Sequence, residues 1–201
     1  HTVVIDPGHG GRDTGVRGDG GLLEKEVSFL TALKVAKLIK GKLGARVVLT
    51  RTGDFNLPLL ERTAIVNRTK GQLFLSLHTE GSFRRESSGF RIFISKPASK
   101  PGKQLAESEE NTNLQTPQWD LAQDTHRMEA LRLGKLLRQA LARQTGLAAN
   151  PVQETRSMVL KGAKAPAVLI SLGHLTNLRD EALLERNEFL EKVAEAIFHA
   201  I

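Results

Sequence analysis

His1-Thr2-Val3-Val4-Ile5-Asp6-Pro7-Gly8-His9-Gly10-Gly11 opens the chain, and its reading decides the fold. Residues 2–6 are a short apolar run, read as a strand. Pro7-Gly8 ends it, because proline cannot donate to a ladder and glycine releases the backbone. The loop that follows, residues 7–21, is crowded with glycines, and such a loop can wrap closely around whatever it holds.

Working outward, strand and helix patterns alternate. Residues 24–43 place Val27, Leu30, Ala36, Leu38, Ile39 and Leu43 at helical spacing, and Gly44 stops them. Residues 45–50 read as a strand, 58–68 as a helix with proline in its first turn, and 72–77 as a continuous apolar strand. Residues 89–95 alternate through Phe90, Ile92 and Ile94 as a fourth strand. Helical periodicity returns at 125–144, where Met128, Leu131, Leu136, Leu137 and Leu141 are predicted to form the buried side. A short irregular stretch leads to a strand at 167–172, and 188–201 closes the chain as a helix. The alternation predicts one α/β domain of three layers, with a mostly parallel sheet between helices. Residues 96–124 interrupt it with Pro, Ser, Glu, Asn, Gln and Lys, and are longer than most connections in a compact domain. They are expected to be an insertion or lid.

Composition narrows the class. The 201 residues suit one domain, 40% hydrophobic and 25% charged as in ordinary globular chains. No apolar run reaches the roughly 18–20 residues that span a bilayer. A strand that begins at the first residue, with no initiator Met or leader, is expected of an excised mature domain. The absence of cysteine removes disulfides, thiolate metal sites and cysteine nucleophiles together. A net charge of +7 favours an anionic partner. Nucleic acid is disfavoured, since aromatic residues are only 4%, tyrosine is absent and no basic cluster is interleaved with stacking side chains. An anionic cell-wall polymer would explain the same charge, and so would a soluble protein that is simply basic.

Ligands of open α/β sheets gather beyond the carboxyl ends of the strands. His9, His78 and His174 lie at such ends; His1, His126 and His199 do not and receive no role. A single histidine there is more often structural, and Glu24 at a helix start is also what the helix dipole favours. Two imidazoles and one carboxylate converging, however, make a donor set suited to zinc with a fourth position open.

Three segments in order carry a resemblance. Ile5-Asp6-Pro7-Gly8-His9-Gly10-Gly11, Leu23-Glu24-Lys25 and Ser76-Leu77-His78 are similar to the metal-binding segments of the zinc-dependent N-acetylmuramoyl-L-alanine amidases, of the amidase_3 type. Thr50-Arg51, Glu61-Arg62, Asn67 and the stretch from Pro166 to Ile170 with Gly173, Thr176 and Asn177 extend it over the chain outside 96–124. The resemblance implies Zn2+ held by His9, Glu24 and His78, with peptidoglycan as substrate. It also implies hydrolysis of the amide between the muramoyl group and L-alanine, in the periplasm or outside the cell.

The resemblance breaks at the residue the family uses as general base. A Glu-x-Gly-Phe setting is replaced by Ser171-Leu172-Gly173-His174, and Ala-Asn after His78 by Thr79-Glu80. A serine hydroxyl has no useful basicity near neutral pH. Three readings follow: Glu80 or His174 supplies the base from a new position; catalysis is lost and the domain binds peptidoglycan or regulates its hydrolysis; or His174 closes a four-ligand structural site. Some family members also carry a helix near 96–124 that blocks the zinc until a partner protein withdraws it. Glu107, Glu109 and Glu110 form an acidic cluster there. A regulatory protein acting on this segment is therefore an expected partner, alongside the plainer reading of a solvated charged loop.

Overall fold

The computed structural model describes residues 1–97 and 122–201. The insertion or lid expected at 96–124, with its acidic cluster, lies almost wholly outside them. Its far end is held down: Gln123 is buried and its Nε2 donates to the carbonyls of Ala163 (2.5 Å) and Ala165 (2.7 Å).

The elements run β1 (Thr2–Pro7), α1 (Glu24–Leu43), β2 (Arg46–Leu49), α2 (Leu59–Arg68), β3 (Leu73–Glu80), β4 (Arg91–Ser95), α3 (Arg127–Thr145), β5 (Gln153–Thr155), α4 (Met158–Lys161), β6 (Ala167–His174), α5 (Leu178–Leu184) and α6 (Asn187–Ala200). The six strands form one sheet in the order β2-β1-β3-β6-β4-β5. β2, β1, β3 and β6 are parallel, and β4 joins antiparallel to β6 with β5 parallel to β4. The single mostly parallel α/β sheet expected from the sequence is therefore present.

Strand alternation divides the interior in two. Val3, Ile5, Leu75, Leu77, Ile170 and Leu172 pack in a large cluster with α1, α3 and α6. Val4, Phe74 and Ala167 pack on the other face with Val66 of α2 and Val159 and Leu160 of α4. Helices on both faces give the three layers. α1 starts with Glu24 and Glu26 in its first turn, where the dipole favours acids, and stops at Gly44 in the left-handed conformation (φ 60°).

Val27, Ala36 and Ile39 of α1 and Leu137 and Leu141 of α3 are buried, but other apolar positions of the two helices are not. Met128 (75% exposed) and Leu136 (43%) point outward, and α3 instead buries Ala130, Leu133, Gly134, Leu137 and Leu141. Leu30 and Leu43 of α1 are also exposed, while Val35 and Ala32 face the core. Near-equivalent leucines around each helix leave the face to be chosen by the sheet. The "irregular" stretch before β6 contains β5 and α4, and α5 follows β6; at three, four and seven residues they are too short to show a period.

One difference bears on the site. β3 and β6 each run two or three residues beyond their predicted ends, through Glu80 and His174. A register shift lets the ladder continue, with His78 opposite Ser171 and then Glu80 opposite His174. Glu80 is thereby a strand residue and not a loop acid.

Candidate active site

Three elements bring His9, Glu24 and His78 together at the carboxyl end of the sheet. His9 follows β1, Glu24 begins α1 and His78 lies near the end of β3. Glu24 Oε1 lies 3.1 Å from His9 Nε2 and 2.9 Å from His78 Nδ1, and accepts the Thr79 backbone N–H at 3.0 Å. Its Oε2 accepts the Val16 N–H at 2.9 Å. The other His9 nitrogen, Nδ1, lies 2.8 Å from Asp13 Oδ1, which fixes the ring and turns Nε2 toward Glu24. One ligand atom from each of the three residues falls within 4.8 Å of the others, and His174 is outside that group.

The electrostatics shift the carboxylate and the imidazole of this cluster in opposite directions. Burial pushes the Glu24 carboxyl up, but hydrogen bonds with His78 and His9 outweigh it and hold Glu24 well below the usual carboxylate range. His9 is lowered by burial yet raised more by Glu24 and Asp13, and ends above its ordinary value. The closeness of the parts requires glycine at two points. A Cβ on Gly8 would stand 2.4 Å from the His78 ring, and one on Gly15, where φ is +65°, 2.5 Å from Glu24 Oε2.

A buried charged lock beneath the site holds the loop. Asp6 accepts from Thr50 Oγ1 (2.5 Å), Arg62 Nη1 (2.7 Å) and Ser76 Oγ (2.9 Å). Arg62 also donates to the carbonyls of Pro7 (2.8 Å) and His9 (2.9 Å), and Arg51 to those of Pro7 (3.0 Å), Gly8 (2.9 Å) and Lys25 (2.8 Å). The two guanidinium groups therefore satisfy the carbonyls of Pro7, Gly8 and His9, which the loop itself leaves unpaired. Sequence reading noted Arg51 and Arg62 but assigned them no task; an aspartate inside an apolar strand was the available signal for a buried cationic partner.

Sequence reading also missed α5 and what it does. Asn177 caps it, accepting from the N–H groups of Arg179 and Asp180, a start that Asn177 followed by Asp180 and Glu181 makes readable. Asp180 Oδ2 then accepts the N–H groups of Gly89 (2.8 Å) and His174 (3.0 Å), and Glu181 those of Gly20 (2.9 Å) and Leu22 (3.3 Å).

The remaining candidates form a second group. Ser171 is fully buried and its hydroxyl has no hydrogen-bond partner among the described residues. Glu80 Oε2 lies 3.1 Å from His174 Nε2 and 3.3 Å from Arg91 Nη1, ion-pair distances without hydrogen-bond alignment. His174 Nδ1 donates to the Gly89 carbonyl at 3.2 Å, so that nitrogen carries the hydrogen. Only 2% of the His174 side chain is exposed, against 23% for Glu80.

A three-layer α/β domain with two imidazoles and a carboxylate at its strand ends falls in the class of α/β domains able to hold a metal ion. Comparison places the chain within it: a family model described as N-acetylmuramoyl-L-alanine amidase matches residues 3–201, and the chain belongs to that family of peptidoglycan amidases. Among curated relatives, N-acetylmuramoyl-L-alanine amidase AmiA of Salmonella typhimurium is 31% identical over 99% of this chain and 74% of its own length. AmiC of Escherichia coli O6:H1 is 28% identical over 99% of this chain and 51% of its own length. Among solved structures, AmiC2 of Nostoc punctiforme superposes with a TM-score of 0.80 at 27% identity, covering 100% of this chain and 94% of that one.

Proposed function

We propose that the chain is a zinc-dependent N-acetylmuramoyl-L-alanine amidase of the cell envelope in which Glu80 has taken over as general base. The donor set fits zinc: two imidazole nitrogens and one carboxylate oxygen converge, with Asp13 behind His9 as an orienting acceptor. His9, Glu24 and His78 are the residues that would hold the ion. When bound, zinc supplies Lewis-acid polarisation of the scissile carbonyl and makes water easier to deprotonate.

The observation that carries the assignment of the base is the Glu80 carboxylate, two residues beyond His78 and flanked by Arg91 and His174. Ser171 offers neither charge nor basicity, and His174 is buried with Nδ1 committed to Gly89. Glu80 remains partly open to solvent. It accepts the proton of the attacking water and returns it to the L-alanine nitrogen as the C–N bond breaks. Arg91 and His174 lie at ion-pair distance on either side of it.

A second reading is supported by the orphaned Ser171 hydroxyl and the unpartnered Arg91 Nε beside it. Arg91 stands opposite position 171, where the family carries its Glu, so both groups are as expected of a domain that keeps the site and binds peptidoglycan without cleaving it. Action in the periplasm or outside the cell belongs to both readings, and no helix among the described residues is long and apolar enough to cross a membrane. A regulatory protein acting at 96–124 is an expectation about residues outside those described.

Incubating the zinc-loaded chain with purified peptidoglycan, and searching by mass spectrometry for peptides with a free L-alanine amine, tests the choice. Chelator-sensitive release that Glu80→Gln abolishes supports the relocated base. No release from the native chain, with release from Ser171→Glu, establishes the second reading in its place.

A further inference from the structure

We infer that the loop of residues 81–88, with Arg12 on the adjoining loop, is the recognition element for the sugar and the acidic peptide stem of the substrate; this rests on the amidase reading. The chain leaves β3 after His78 and Glu80 and runs at once into Gly81-Ser82-Phe83-Arg84-Arg85-Glu86-Ser87-Ser88. Its backbone is tied at many points. Ser82 N–H donates to Thr176 Oγ1 (2.9 Å), Arg84 N–H to Ser82 Oγ (3.0 Å) and Ser87 N–H to the Arg84 carbonyl (3.0 Å). Asn177 Nδ2 donates to the Arg85 carbonyl (2.7 Å), and Ser88 Oγ to Asp180 Oδ1 (2.7 Å). The Arg85–Asp19 ion pair and the packing of Gly81 against Val16 fasten it to the loop that carries His9.

At the apex of this fixed loop Phe83 is wholly exposed, at 109% of its reference area. Arg84 beside it, and Arg12 three residues beyond His9, are exposed, and their side chains have no ion-pair or hydrogen-bond partner among the described residues. A large aromatic held in water by an otherwise ordered loop forgoes its burial energy until a ligand covers it, and the ordering cost of binding has already been met. The chemistry specifies that ligand. An aromatic ring covers the apolar face of a sugar, and free guanidinium groups take carboxylates in bidentate fashion. Glu86 is the only acid in the loop. Both arginines sit on loops that hold or follow a proposed zinc ligand, so the contacts they make fix the scissile amide relative to His9 and His78.

The test uses the zinc-loaded chain with soluble N-acetylmuramoyl tetrapeptide, either native or with its carboxylates amidated. Phe83→Ala is expected to raise KM about tenfold for both ligands, and Arg84→Glu and Arg12→Glu about tenfold for the native one, with kcat within about twofold. The two arginine variants are also expected to lose the preference for the native over the amidated ligand, with zinc content and thermal midpoint unchanged. Turnover with KM unaltered in all three variants overturns the recognition loop and leaves the amidase reading standing. If the native chain binds both ligands by calorimetry without cleaving them, the amidase reading fails. Loss of preference in Arg84→Glu then still upholds the loop, and retained preference overturns it.

Discussion

Ser171 stands directly opposite His78 in the parallel pairing of β6 with β3, and opposite Arg91 in the antiparallel pairing of β6 with β4. Period-two alternation puts the three side chains in a row on one sheet face, the face that carries Phe74 and Ser76. The buried hydroxyl thus lies between a proposed zinc ligand and a guanidinium whose Nε has no hydrogen-bond partner among the described residues. A carboxylate at 171 would meet both.

That geometry makes a double substitution informative. Glu80→Gln is expected to lower kcat by about 10²–10⁴-fold, the usual cost of losing a general base. Adding Ser171→Glu to that variant should recover at least part of the loss, with Arg91 available to hold the new carboxylate. Steady-state kinetics on a muramoyl peptide measures both; an unaltered kcat in Glu80→Gln would remove Glu80 from the mechanism.

Metal content separates ligands from their support. His9→Ala and His78→Ala should each abolish tight zinc binding, read as zinc per chain after dialysis. Asp13→Ala leaves the three donors and removes only the acceptor behind His9 Nδ1, so a loss of about 10–100-fold in zinc affinity is expected. Zinc retained at full stoichiometry in either histidine variant would mean that the site lies elsewhere.

The lock under the loop has a stability signature. Arg62→Ala leaves Asp6 charged, buried and short of its cationic partner, which is expected to cost about 3–5 kcal/mol in chemical denaturation. A loss below about 1 kcal/mol would show that Thr50 and Ser76 suffice for Asp6 alone.

Acid should weaken the metal-free chain through Glu24. Its folded-state pKa is depressed, so its contribution is complete above the ordinary value of 4.5 and drains away as pH falls below it. His9 is raised, so its contribution is complete below 6.5 and is lost as pH climbs through its folded-state value. The pair therefore favours a stability maximum between these two pH values in the apo chain. Glu24→Gln should flatten both arms in thermal melts across pH, and an unchanged profile would contradict the coupling.

The parts of the fold and site legible in the sequence were those with a period or a motif. Val3 to Ile5 and Phe74 to Leu77 announced central strands, and strand-end histidines with Glu24 announced the cluster. What escaped depends on partners distant in sequence. Nothing local to Arg51 or Arg62 says that each will reach carbonyls more than forty residues away. The outward turn of Met128 and Leu136 was set by which side of α3 met the sheet. The pairing of Glu80 with His174 needed the register shift, and no pattern along either strand alone contains it.

The Asp6 lock also ties the site to elements far apart in sequence. Its members come from β1, the end of β2, α2 and β3, so the support under the loop bearing His9 is complete only where all four meet. His9 and Glu24 are close in sequence, but their carbonyl supports and third partner arrive up to residue 78. The third donor, His78, comes from β3, so the proposed three-donor set is complete only where β3 has joined β1 in the central sheet.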